Sequence, residues 1–400
     1  MRIKTGEKQG TKVLLVGAIL QLFLGIIYVW SVFVMPINKD FGWAVDSVKL
    51  TASFMLSFFV IGILIAGKIQ TKTGTAPVVL TGGLMMASGM LLTSFVPPSA
   101  AVLIYITYGV VGGFGVGMAY NAIITCAQRW FPTRRGFATG ISVCMFGFST
   151  VVFAPLIEIL IGAVGIPNTF RILAAAFFIV VVALFRFIKL PPETGEKATV
   201  PTLSGKQYTT AEILRTKAFY FITLSLMFGT TAYFILNPSF KTLAAERNLD
   251  PALATVLVMI TGIANALGRL VVPALADKIG REWAIILICF ATCICAAGLS
   301  VTAGILFMVV VAVIAFCFGG YSGAYPLITA DYFGLKNVGS NYGAVMVGFA
   351  TSALFFPMLI NRIPTEPVWA TVKYLILAVL AALGGLLILL LWLGKRKARA

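Results

Sequence analysis

Apolar residues in this chain fall in long runs separated by short polar breaks, rather than scattered over core positions. A bilayer core of roughly 30 Å needs about 20 apolar residues per helix. The runs predict spans at 12–36, 48–67, 76–95, 100–127, 136–162, 167–190, 217–240, 252–276, 283–302, 304–330, 340–361 and 367–394. Glycine recurs inside them, as expected where helices approach closely in lipid. An outer-membrane barrel would show alternating strands of about ten residues, and none are present. The first run continues through Trp30 to Pro36, longer than the ~7–15-residue apolar core of a cleavable signal. The predicted class is all-α and polytopic, about twelve transmembrane helices.

The longest polar segment, 191–216, contains Pro191, Pro192, Glu193, Gly195, Glu196, Lys197 and Pro201 and cannot span. Six runs precede it and six follow. This divides the chain into a six-helix bundle over 1–190, a linker over 191–216 and a second bundle over 217–400. The breaks repeat too. Gly67-Lys68-Ile69-Gln70-Thr71-Lys72-Thr73-Gly74 follows the second run, and Pro273-Ala274-Leu275-Ala276-Asp277-Lys278-Ile279-Gly280-Arg281 follows the eighth, about 206 residues later. Trp130-Phe131 after the fourth run and Tyr332-Phe333 after the tenth are offset by 202. Two similar offsets argue for duplication of a six-helix unit.

Composition agrees: 60% of residues are hydrophobic and 11% charged, against about 25% charged in soluble chains. The net charge of +17 does not indicate a nucleic-acid partner, because it is unevenly placed. The two tails and the even-numbered connections hold 22 Lys/Arg, the odd-numbered connections seven. That asymmetry puts both termini in the cytoplasm. The basic tail Lys395-Arg396-Lys397-Ala398-Arg399 reads as a topology anchor beside anionic membrane lipid. Six cysteines lie inside spans and there is no histidine; they read as apolar thiols rather than a metal site or disulfide framework. No nucleotide loop, cofactor motif or paired carboxylates mark an enzyme, and nothing signals an oligomeric state.

One ionisable side chain stands out by depth: Arg269 on the eighth span. A guanidinium there costs roughly 2.5–3.5 kcal/mol on insertion scales. Its planar fork suits a carboxylate in a cavity. The other reading is a residue that snorkels or pairs elsewhere, since Arg269 lies about two turns from its helix end. Glu158, near the outer end of the fifth span, is the one acidic residue placed inside another span. Asn265 lies one turn before Arg269 on the same face, able to orient it, touch substrate or bond a neighbouring helix. Tyr120 and Asn121 end the fourth span, after Gly109, Gly113 and Gly117; they offer donors to a small polar ligand or interhelical hydrogen bonds. Tyr28 on the first span and Tyr321 and Tyr325 on the tenth are similar. Trp30 is compatible with an interface belt.

The loops after the second, fourth, eighth and tenth spans resemble the cytoplasmic signature of the major facilitator superfamily, best in Asp277-Lys278-x-Gly280-Arg281 and with Thr71 departing from it in the first half. Tyr28-Val29-Trp30-Ser31, Arg129-Trp130-Phe131-Pro132-Thr133-Arg134-Arg135-Gly136 and Asn341-Tyr342-Gly343, with Arg269, resemble its oxalate/formate antiporter and monocarboxylate transporter branch. The resemblance implies two bundles rocking about a central site, with Arg269 as the carboxylate-binding arginine. It also implies that Tyr28, Tyr120, Phe146 and Phe318 line the pocket. Phe349 stands where the oxalate antiporter has a second cation, a lysine. A second carboxylate would then lack a partner, so a monocarboxylate such as lactate, pyruvate or formate is the expected cargo. An oxalate/formate-type exchanger is the alternative. Asn265 and approximately Val32 stand where animal monocarboxylate transporters carry an aspartate and a lysine. The usual aspartate–arginine proton switch is therefore missing, which leaves the substrate itself or Glu158 as the carrier of a coupled proton.

Overall fold

The computed structural model describes residues 2–191, 207–237, 240, 243–244, 247–360, 363 and 367–397. Most of the 191–216 linker, Lys241, Arg362 and the end of the basic tail lie outside them. Among the described residues there are helices and no strand. Helix α1 (Arg2–Leu24) passes through a 3-10 turn at Gly25–Val29 into α2 (Trp30–Phe41), which Gly42 ends at φ 70°. Then come α3 (Val45–Thr73), α4 (Thr75–Thr93), a π-helical stretch Tyr105–Gly112 continuing into α5 (Gly113–Trp130), and α6 (Arg135–Leu184). The later helices are α7 (Lys217–Leu236), α8 (Pro251–Ile279), α9 (Arg281–Gly298), α10 (Gly304–Phe333), α11 (Val338–Ile360) and α12 (Pro367–Lys397).

Ten of the described helical stretches are long and apolar enough to cross a membrane. One of them, Arg135–Phe187, takes in the predicted span 136–162 and all but the last three residues of 167–190, and is broken at Gly165 (φ 75°, ψ 170°) just before Pro167. The predicted span 340–361 forms α11, whose first third is polar.

The helices pack as two compact units. The first takes Met1–Thr210 and Phe333–Ala344; the second takes Ala211–Tyr332 and Val345–Ala400. The boundary therefore runs through α11, whose opening residues belong with the first unit. There Gly67 lies against the Gly339–Ser340 backbone and Gly343 against Leu64.

The repeat read from the loops recurs in the helix crossings. In the first unit a Cβ on Gly62 of α3 would overlap the carbonyl oxygen of Phe114, and one on Gly117 of α5 would overlap that of Phe59. In the second unit a Cβ on Gly268 of α8 would overlap the carbonyl oxygen of Phe316, and one on Gly319 of α10 that of Asn265. Positions 62 and 268, and 59 and 265, are 206 apart; positions 114 and 316, and 117 and 319, are 202 apart. Gly74 and Gly280, again 206 apart, end α3 and α8 with φ 84° and 96°. Those left-handed turns need glycine.

In the second unit, Arg281 joins Asp277 (2.5 Å) and Asp331 (3.3 Å). Glu282, buried at the start of α9, accepts from Lys395 Nζ (2.6 Å) and Tyr332 OH (2.9 Å). Lys395 is thus a structural clasp between α12 and α9 as well as a basic-tail residue. Trp30 is also internal: it donates from Nε1 to the Val48 carbonyl (2.8 Å) and stacks on Tyr108 (4.6 Å), so it does not serve as an interface belt.

With Lys395 37% exposed, solvent screening limits its pair to on the order of 1 kcal/mol. Lys395→Met should lower the melting midpoint in detergent by a few degrees. Arg396→Met, which removes only a cation held 5.7 Å over Trp392, should leave it within about one degree. Equal midpoints for the two variants would remove the clasp.

Candidate functional site

The chemistry-bearing residues gather in two clusters, one in each unit. In the second, α8 carries Asn265 and Arg269 one turn apart, so both side chains leave the same face. Arg269 is 1% exposed, and its Nε donates to Asn265 Oδ1 at 3.0 Å. That bond fixes the plane of the guanidinium, because a planar fork held at Nε has little freedom left to rotate. The α8 backbone is pressed on α10: a Cβ on Gly319 would overlap the Asn265 carbonyl and lie 3.0 Å from Arg269 N.

Next to Gly319 is Phe318, the centre of an aromatic group. Tyr233 stacks on it at 3.9 Å, Phe234 meets it edge-on at 5.2 Å, and Phe349 lies 6.1 Å away and 4.9 Å from Phe234. Phe349 is buried, so its position on α11 supplies ring surface and no charge. The structure thus groups Phe318 with Phe349 and pairs Arg269 with Asn265. Tyr233 and Phe234 were not singled out from sequence, where two aromatics in an apolar run look like ordinary core.

Tyr321 lies two residues beyond Gly319, roughly 200° around α10. Its ring packs on Gly229 of α7, and its hydroxyl is 3.1 Å from Thr292 of α9. Tyr325 meets Ser225 at 2.7 Å, and Ser225 donates to the Gly384 carbonyl at 2.7 Å. These phenols tie α7, α9 and α12 together inside the second unit.

The cluster of the first unit is built on Phe146 of α6. Tyr28, in the 3-10 turn and half-buried, meets Phe146 edge-on at 5.5 Å, and Tyr120 of α5 does so at 4.8 Å. Phe59 of α3 completes it, 5.2 Å from Tyr120 and 6.1 Å from Phe146. The tight turn that presents Tyr28 begins at Gly25, where a Cβ would overlap the Phe146 carbonyl. Phe59 was missed from sequence; the 206-residue repeat marks it, since it is the counterpart of Asn265.

Asn121, next to Tyr120, points elsewhere. Its Nδ2 donates to the carbonyls of Ile63 (2.9 Å) and Gly339 (3.0 Å), within the first unit. Beside it Thr125 donates to Gln70 Oε1 (3.0 Å), and Gln70 Nε2 donates to Thr75 Oγ1 (3.0 Å). Glu158 sits on an exposed face of α6.

By its chemistry a buried guanidinium suits an anion, and phenols and rings suit hydrogen bonding and apolar contact, each within its own unit. Comparison with known proteins places the chain in a family. The oxalate:formate antiporter of Oxalobacter formigenes is 26% identical over 377 residues, 89% of this chain and 84% of that protein. Monocarboxylate transporter 13 of Bos taurus is 28% identical over 262 residues, 64% of this chain and 59% of that protein. The solved structure of the proton:xylose symporter XylE superposes with a TM-score of 0.71 at 16% identity, covering 95% of each chain, which speaks for the fold. The profile of the Major Facilitator Superfamily matches residues 14–357 and 222–400. With this all-helical multi-pass architecture, the chain belongs to the major facilitator superfamily and is a membrane transporter, not an enzyme.

Proposed function

We propose that this transporter carries small monocarboxylates of the lactate, pyruvate or formate kind, together with protons, by alternating access. The observation that carries the reading is Arg269: a cation buried in an apolar helix bundle, with its guanidinium plane set by Asn265. The acid would lay its two oxygens along the Nη edge of the fork. Within the second unit Phe318 and Phe349 are proposed as apolar walls; within the first, Tyr28 and Tyr120 are proposed as hydrogen-bonding contacts and Phe146 as a wall. Asn121 and Tyr321 are assigned to the frame that holds these contacts in place.

The cargo is proposed to carry one negative charge because Phe349, within its ring cluster, offers a second carboxylate no cation. Burying an unpartnered carboxylate costs several kcal/mol. Relatives that exchange oxalate for formate or carry monocarboxylates support the substrate class. Neutralising Arg269 with a bound acid would lower the cost of enclosing it, and that is the proposed coupling to rocking. The proposed location is the inner membrane, both termini cytoplasmic, from the 22-to-seven bias of Lys/Arg.

In proteoliposomes, labelled lactate should enter faster when the outside is acidic, and Arg269→Gln should reduce that uptake by about a hundredfold, the loss expected for truncating a buried charge pair. Uptake of Arg269→Gln at the parental rate would remove the arginine from the site. Strong oxalate exchange without lactate uptake by the parent protein would favour the exchanger instead.

Phe349→Lys restores the missing second cation. It should gain measurable oxalate binding while its affinity for lactate falls. A Phe349→Lys protein that folds, yet discriminates against oxalate as the parent does, would refute the charge-count argument.

A further inference from the structure

Position in a bundle is set by helix crossings, and the crossing at Arg269 is a close one. Four glycines of α8 and α10 meet there, and each touches something different. Gly268 lies on the Phe316 carbonyl. Gly319 lies on the Asn265 carbonyl and within 3.0 Å (from its ideal Cβ) of Arg269 N. Gly323, one turn on, would place its Cβ 3.0 Å from the Arg269 carbonyl and against the Pro273 ring. The atoms nearest a Cβ on Gly320 belong to side chains, Val272 at 2.8 Å and Ile288 at 3.3 Å. Gly319 therefore presses on the backbone of the Asn265–Arg269 turn itself and Gly323 on the Pro273 ring and the Arg269 carbonyl, while Gly320 presses on the side chains of Val272 and Ile288.

Nothing in the helix preference of these residues accounts for them. Glycine costs about 1 kcal/mol against alanine in a helix interior, and α10 carries Gly319, Gly320 and Gly323 within five residues. We infer that Gly319 and Gly323 are positioning residues for Arg269, setting how far its guanidinium stands from the ring cluster around Phe318. The inference rests on the proposed carboxylate role of Arg269. A side chain at 319 cannot be absorbed by rotating a neighbour, because what it meets is backbone. The turn bearing Asn265 and Arg269 must move away from α10, carrying the Nε–Oδ1 pair with it. Displacements near 1 Å at a binding constellation can cost about a hundredfold.

The test is a glycine-to-alanine series in proteoliposomes, with labelled lactate as probe, reading KM, Vmax per folded transporter and melting midpoint. Gly262 lies on α8 with no heavy atom within 4 Å of its ideal Cβ, so Gly262→Ala should keep the parental KM. Gly320→Ala pays its packing cost in side chains and should lower the midpoint while KM stays within about twofold. Gly323→Ala should raise KM several-fold, and Gly319→Ala by about ten- to a hundredfold, with Vmax per folded transporter changing much less. Should Gly319→Ala yield no folded protein, Gly323→Ala decides. Positioning is overturned if Gly319→Ala and Gly323→Ala change only the midpoint, or if Gly320→Ala raises KM as much as they do. Arg269→Gln in the same assay separates the two levels. Parental KM there defeats the carboxylate role, and absence of lactate uptake by the parent defeats both. Loss of uptake in Arg269→Gln with unchanged KM in the glycine variants defeats positioning alone.

Discussion

The close backbone approach of paired helices is the constraint on which the rest of this structure depends. In lipid there is no hydrophobic force to draw helices together, so association relies on packing and on polar contacts between backbones. Glycine lets a carbonyl of one helix rest against the Cα of the next, a contact that also admits weak Cα–H···O bonding. The chain uses this repeatedly in each unit, and at matching positions of the two: Gly62 and Gly117 in the first, Gly268 and Gly319 in the second. Each crossing fixes a register, and each register aims the side chains beside it.

Such a frame allows a charge to be kept. Arg269 is costly in apolar surroundings, and its expense is tolerable only where geometry lets polar groups meet it. Asn265 does so from the same helix turn, and the crossing with α10 holds that turn still. A looser helix pair would let the guanidinium find carbonyls of its own choosing, and its position would no longer be defined. The buried amide of Asn121 shows the same logic in the first unit: fastened to two carbonyls, Ile63 and Gly339, it holds the start of α11 in place.

How far this was legible from sequence depended on the kind of signal. Long apolar runs announced the helices, and the i, i+4 spacing of Asn265 and Arg269 announced a shared face that the structure turns into a hydrogen bond. Punctuation in the loops announced the 206- and 202-residue offsets, and the same offsets return in the crossings. What stayed hidden was direction. Tyr120 and Asn121 are adjacent, yet one joins the Phe146 cluster and the other fastens α3 and α11. Tyr321 and Gly319 are two positions apart, yet face different helices. In a run where every face is apolar, periodicity gives no rotation about the helix axis. The 3-10 turn at Gly25–Val29 was hidden for a related reason: it begins where Gly25 lies against the Phe146 carbonyl of a distant helix, a contact that the local sequence does not reveal.

The repeat makes the remaining asymmetry interpretable. Phe59 and Ile63 occupy in the first half the places of Asn265 and Arg269 in the second, against crossings of the same kind. Tyr120 and Asn121 correspond likewise to Ser322 and Gly323. The Ile63 carbonyl receives the Asn121 amide, whereas the Arg269 carbonyl faces Gly323, and the residue four places on is Pro273, which has no N–H to give. One ancestral frame has therefore been filled in two ways: with rings and an amide strut in the first half, and with a cation, its amide partner and a proline in the second. Because the backbone contacts match, the difference in chemistry must lie in the side chains and not in the architecture. The same crossing therefore carries Asn265 and Arg269 in the second half where the first carries Phe59 and Ile63.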